Sequence, residues 1–216
     1  HSTKTGATFG STLVNQSISA VIDSYQNAGT VSDVVAMAAN VKDEFAAIEQ
    51  RLPNADALAI ASQQRIDSGN PRTLEGIPFS VKANIDLAGV VTTNGTAVTN
   101  PAATKSARIV DLLTEAGAIP VFTTTMAELA IGAVTDNAHT GVCVTPANSN
   151  LHAGGSSGGA GASVAAGWVP FSLGSDTMGS VRIPAAYCGV FGYKPSSQIF
   201  DRSGLTQLYP PMDTIG

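Results

Sequence analysis

Two short apolar runs, Ile77–Ala83 and Ala118–Thr123, flank a segment of helical periodicity, Ala107–Ala116, that is closed by Gly117. In the first run Ile77, Phe79 and Val81 fall on one face and Pro78, Ser80 and Lys82 on the other, so it reads as a strand. A strand, a helix and a second strand in succession imply a parallel crossover, and nothing else in the chain constrains the fold as much. The expected class is α/β: a mixed, mainly parallel sheet flanked by helices. A helix is expected at about Met126–Ala133, a small-residue helix at Ala160–Gly167 and a further strand at Val169–Leu173.

The chain before residue 71 has a different texture. Leu13, Ile18, Val21 and Ile22 recur at helical spacing up to Asn27–Gly29. A second helix is expected from Val31 to about Leu52, with Val34, Val35, Ala38, Val41, Phe45 and Ile48 on a broad apolar face. Pro53-Asn54 breaks it, and a third helix spans Ala55–Ile66 before Ser68-Gly69-Asn70-Pro71. Residues 1–70 are thus expected as a helical layer lying on a core formed by residues 71–216. Their apolar faces need a partner, and the sheet is the only large one.

Composition removes several classes of function. The 216 residues carry 11 Lys and Arg against 16 Asp and Glu, never clustered, so no nucleic-acid footprint is expected. No apolar run approaches the ~18 residues of a membrane span. The first residues, His1-Ser-Thr-Lys-Thr, have no apolar leader, and a cytoplasmic location is expected. Cys143 and Cys188 are too few for a disulfide framework and are expected as free thiols.

Two motifs carry chemistry. Gly154-Gly-Ser156-Ser157-Gly158 satisfies the Gly-x-Ser-x-Gly pattern of a nucleophile elbow. That reading needs a histidine downstream of the serine, whereas His1, His139 and His152 all precede Ser156, and Asn148–His152 makes a poor strand. A phosphate cradle fails as well, because neither the Walker pattern nor Gly-x-Gly-x-x-Gly is completed. The bland alternative is a tightly packed Gly-rich turn. The second motif is Gly174-Ser-Asp-Thr-Met-Gly-Ser180-Val-Arg182, whose turn would expose consecutive backbone N–H groups to an anionic intermediate beside Ser180. With no histidine well placed, Lys82 is the candidate base. It is the lone charge in an apolar strand, where burial disfavours the ammonium form, unless its stem snorkels to the surface.

Together these segments resemble the amidase signature family. The resemblance is carried by Lys82 after Ile77-Pro-Phe-Ser-Val, by the glycine-flanked Ser156-Ser157, and by Gly174–Ala185 with its Ser180 placed 24 residues after Ser156. Ala185–Pro195 and the Asp213-Thr-Ile-Gly ending agree with it. It implies the amidase signature fold and a Ser-Ser-Lys triad. Ser180 would attack an amide carbonyl, Ser156, on a cis peptide with Gly155, would relay the proton, and Lys82 would be the final base. The N–H groups of Thr177, Met178, Gly179 and Ser180 would form the oxyanion hole. Asp176 and Arg182 would brace the turn as an ion pair, and Ser157 would support the loop without attacking.

The resemblance implies an amidohydrolase that cleaves a small linear amide through an acyl-enzyme. No cofactor or metal is implied, and His139 and Cys143 are too few to argue for a metal. Two alternatives stand beside it: the glutamine-hydrolysing component of a tRNA-dependent amidotransferase, against which Ile183 argues where Gln is expected, and a catalytically silent amidase-like interaction module. Val169–Thr177 looks closer to bacterial hydrolases of the 1-carboxybiuret or allophanate kind. Two departures stand out. Met178 occupies a position that is usually Gly and should narrow the acyl pocket. Family members are also considerably longer, so the fold is expected to be incomplete here and inactive alone. A homo-oligomer or a further C-terminal segment would complete it.

Overall fold

The structure is a computed structural model that describes residues 19–20, 30–197 and 199–216. The expected helix through Leu13, Ile18, Val21 and Ile22 lies outside the described residues. Chain order is α1 (Val31–Ala39), β1 (Ile48–Arg51), α2 (Ala55–Asp67), β2 (Pro78–Lys82), α3 (Arg108–Glu115) and β3 (Ile119–Thr124). The short pairs β4 (Asp136–Asn137) with β5 (Gly141–Val142) and β6 (Val144–Thr145) with β7 (Asn148–His152) follow. Then come α4 (Gly158–Ala165), β8 (Phe171–Leu173), β9 (Ser175–Asp176), α5 (Arg182–Cys188) and β10 (Thr214–Ile215).

The central sheet has the order β1-β3-β2-β8. β2 runs parallel to both β3 and β8, and β1 is antiparallel to β3, so the sheet is mixed and mainly parallel. Every residue of β2 and β3 is buried, as a sheet covered on both faces requires. Phe79 and Val81 join Val110 of α3, with Leu52, Ile85, Leu173 and Ile215, in one apolar cluster. Val31, Val35 and Ala38 of α1 and Ala55 and Ala59 of α2 pack on Ile119, Val121, Phe122 and Val169 in another, so these two helices lie against the sheet. The opposite side of β2 from Phe79 and Val81 meets α4: Ser80 Oγ lies 3.2 Å from Ser163 Oγ and Lys82 lies over Ser156. Among the described residues no helix is long and apolar enough to cross a membrane.

Three expectations change. The helix expected over 31–52 ends at Ala39, and Ile48–Arg51 is an edge strand of the sheet. The Asn40 amide folds back onto the Ala36 carbonyl at 2.8 Å. The Asp43 carboxylate then accepts the N–H groups of Phe45, Ala47 and Ile48 at 3.3, 3.0 and 2.9 Å, a local alternative to helical bonding. The expected helix at 126–133 is only a 3₁₀ turn, Glu128–Ala130, because Leu129 and Ala130 take left-handed φ values of 52° and 60°. Asn148–His152, which reads as a poor strand, is one. All five of its residues are exposed, so its pairing needs no apolar alternation.

The glycines at the start of α4 are there for contact. A Cβ on Gly159 would lie 2.5 Å from the Ala47 carbonyl oxygen and 2.7 Å from the Thr125 nitrogen, both backbone atoms. The helix is thereby pressed onto the chain ends of β1 and β3, which supports the packed-turn reading of the run over a phosphate cradle. Gly159→Ala is expected to cost about 1–3 kcal/mol through overpacking, measured as a lower urea midpoint. An unchanged midpoint would show that α4 is free to shift.

Candidate active site

Lys82 ends β2 and is fully buried, so the snorkelling alternative does not apply. Its Nζ lies 2.8 Å from Ser156 Oγ and 2.8 Å from Ser175 Oγ. Burial pulls its pKa down from the ordinary lysine value to about 7, against the fields of Asp176 and Asp213, which favour the ammonium form. Lysine and serine meet because β2 and β8 are parallel neighbours. β8 leads directly into Ser175, and the loop before α4 brings Ser156 over the same strand end.

Ser156 is fully buried, and the Gly155–Ser156 peptide is cis. Its carbonyl accepts the Ala127 N–H at 3.0 Å, which ties the 126–130 turn to the site. Ser157 holds two segments together: its N–H donates to the Ser180 carbonyl at 3.2 Å, and its hydroxyl donates to the Ser175 carbonyl at 3.2 Å. Ser180 is half-buried, at the turn between β9 and α5. The structure therefore brings Lys82 and Ser156 into direct hydrogen bonding and lays the Ser180 backbone against Ser157.

Asp176 organises the turn. Its carboxylate accepts the N–H groups of Gly179, Val181 and Arg182 at 2.7, 3.1 and 3.4 Å, and both Nε and Nη2 of Arg182 at 3.0 Å. Burial pushes this carboxyl up, but the donors of Arg182, Val181 and Gly179 outweigh it and hold the pKa below the usual value. One expectation is narrowed here. The Gly179 N–H is spent on Asp176, which leaves the N–H groups of Thr177, Met178 and Ser180 as candidate oxyanion donors. Met178 is 76% exposed.

Sequence reasoning misses three supporting residues. Ser175 shares Lys82 with Ser156, and its position immediately before Asp176 is the available signal. Asn84 donates to Ser175 from two residues beyond Lys82. Asp213 accepts the Thr177 hydroxyl at 2.5 Å and the N–H groups of Leu208 and Tyr209 at 2.7 and 2.8 Å. It immediately precedes β10, whose pairing with β9 makes the loop-like residues 208–216 a brace for the site. Cys143 and Cys188 are free and buried, and burial pushes the Cys143 thiol up to about 12. His139 is exposed, and among the described residues no group of three or more His, Cys, Asp and Glu could hold a metal.

A family model described as Amidase matches residues 30–216. The chain belongs to the amidase family. It is 47% identical over 141 residues to the putative amidase AmiB2 of Mycobacterium tuberculosis, covering 65% of this chain and 30% of that protein. The AtzE component of the 1-carboxybiuret hydrolase of Pseudomonas sp. is 43% identical over 145 residues, or 66% of this chain and 32% of the relative. The amidase-like component of the glutamyl-tRNA(Gln) amidotransferase of Deinococcus radiodurans is 41% identical over 164 residues, 76% and 34%. Among solved structures, one described as a vestigial protein complex revealing the origins of an s-triazine catabolic enzyme superimposes with a TM-score of 0.89. It is 36% identical and the match covers 93% of this chain and 46% of that one. This amidase-family chain thus spans about a third of the length of these curated relatives.

Proposed function

We propose that the chain carries the catalytic centre of an amidohydrolase that cleaves small linear amides through an acyl-enzyme on Ser180. The observation that carries this reading is Lys82, buried, with a pKa near 7 and 2.8 Å from Ser156 Oγ. A neutral amine in that place accepts the Ser156 proton as Ser156 accepts that of Ser180, and Ser180 Oγ bonds to the amide carbon. The carbonyl oxygen becomes an oxyanion facing the N–H groups of Thr177, Met178 and Ser180, each worth roughly 3 kcal/mol to the transition state. As the C–N bond breaks, the proton on Lys82 returns through Ser156 to the leaving nitrogen. Water, deprotonated by the same relay, then releases the acid and regenerates Ser180.

Asp176, Arg182 and Ser157 touch no reacting atom in this scheme and hold the turn in shape. The Met178 side chain borders the acyl side and favours short acyl groups. A second reading, the glutamine-hydrolysing component of an amidotransferase, draws on the 41% identity to such a protein over 76% of this chain. Ammonia release from acetamide, propionamide, longer linear amides and glutamine, assayed on the complete protein that carries this chain, separates the two. Turnover that is fastest on the short amides is expected. Turnover of glutamine alone selects the second reading, and a folded protein that turns over none of them overturns both.

A further inference from the structure

Asn84 lies in the turn after β2, 2% exposed, and the Thr206 N–H pins its carbonyl at 2.9 Å. Its Nδ2 lies 3.0 Å from Ser175 Oγ, while its Oδ1 is buried without a partner. A buried asparagine with half its amide unsatisfied is costly, so its other half is expected to matter.

Counting lone pairs shows how. A hydroxyl has one proton and two lone pairs. Ser175 Oγ accepts from Asn84 Nδ2 and from Lys82 Nζ, so both of its lone pairs are engaged and its proton points elsewhere. It therefore cannot donate to Lys82. A neutral amine has one lone pair, and with Ser175 unable to occupy it, that lone pair is left for the hydroxyl of Ser156. Turning the Asn84 amide over gives the same result: Ser175 then donates to Oδ1 and still only accepts from Lys82.

We propose that Asn84 is a positioning residue that fixes Ser175 as a hydrogen-bond acceptor and so directs the Lys82 lone pair at Ser156. The inference rests on the reading of Lys82 as the base. The charges acting on Lys82 are those of Asp176 and Asp213, and β3, α4 and β8 around it bring no ionisable side chain. With Asn84 removed, Ser175 is free to donate to Lys82 and the relay stalls in part of the population.

The test is steady-state kinetics on the complete protein with a double-mutant cycle between Asn84 and Ser175. Asn84→Ala is expected to lower kcat about tenfold with KM unchanged, and to cause no further loss once Ser175→Ala is present. Asn84→Asp keeps the shape but sets a carboxylate near Lys82, so the midpoint of the pH–rate profile should rise by about one unit. An equal loss from Asn84→Ala in both backgrounds, or an unchanged kcat and midpoint in both variants, overturns the proposal. If Asn84→Ala does not fold, the midpoint of the near-isosteric Asn84→Asp decides. Lys82→Met, assayed in parallel, separates the two levels. Full activity there removes the base reading itself, whereas loss of activity there beside unaffected Asn84 variants removes only the role of Asn84.

Discussion

Replacing Lys82 by Met is expected to lower kcat by about 10²–10⁴-fold and to abolish the rise of activity through neutral pH. Lys82 has a pKa of about 7 because burial disfavours its charge. Below that pH it is an ammonium ion with no lone pair for Ser156; above it the free amine accepts the proton, and the rate climbs to a plateau. Stability follows the same shift. The folded-state pKa is below the unfolded value of about 10.4, so between the two the unfolded chain binds the extra proton and stability rises with pH. Below pH 7 both states are protonated, and the full penalty applies, on the order of 5 kcal/mol relative to alkaline conditions. Met carries no charge, so this part of the pH dependence should vanish from urea unfolding measured across pH 7 to 10. A variant with the wild-type pH–rate profile and the wild-type stability slope would remove Lys82 from the mechanism.

Ser180→Ala should have the larger kinetic effect, on the order of a millionfold in kcat, because the covalent route is lost altogether. The fold should not change with it. Ser180 is half-buried, and the contacts that hold its turn are made by the Asp176 carboxylate and by its own carbonyl with Ser157. Its melting behaviour should stay within about 0.5 kcal/mol of the parent. Amide turnover in Ser180→Ala would mean that another hydroxyl attacks, with Ser156 the first candidate.

Much of this site is legible in local sequence. Lys82 stands out as a single charge among alternating apolar residues, and a strand buried on both faces leaves it nowhere to send its stem. Asp176 and Arg182 are six residues apart on one turn, so their pairing needs no knowledge of the rest of the fold. The Ser175 contact is different in kind. It joins residues 93 apart and exists only because β2 and β8 are parallel neighbours, which periodicity does not reveal. Asp213 is hidden in the same way, within residues that look like a loop until β10 pairs with β9. The strand at Ile48–Arg51 escapes a reading by periodicity because Val41, Phe45 and Ile48 continue a helical spacing. The competing signal is one side chain, Asp43, collecting three backbone N–H groups, together with an open sheet edge at β3. Likewise the 126–130 turn has helical composition, but the Ser156 carbonyl claims the Ala127 N–H and two left-handed residues follow.

The central claim is that a neutral Lys82 activates Ser180 through Ser156. Covalent labelling by a fluorophosphonate probe tests it most directly, with the modified residue identified by mass spectrometry and the labelling rate followed from pH 5 to 10. The account predicts a single adduct on Ser180, a rate that rises with a midpoint near 7, and loss of both in Lys82→Met. An adduct on Ser156, or labelling of Ser180 at the same rate at every pH and in Lys82→Met, would contradict it.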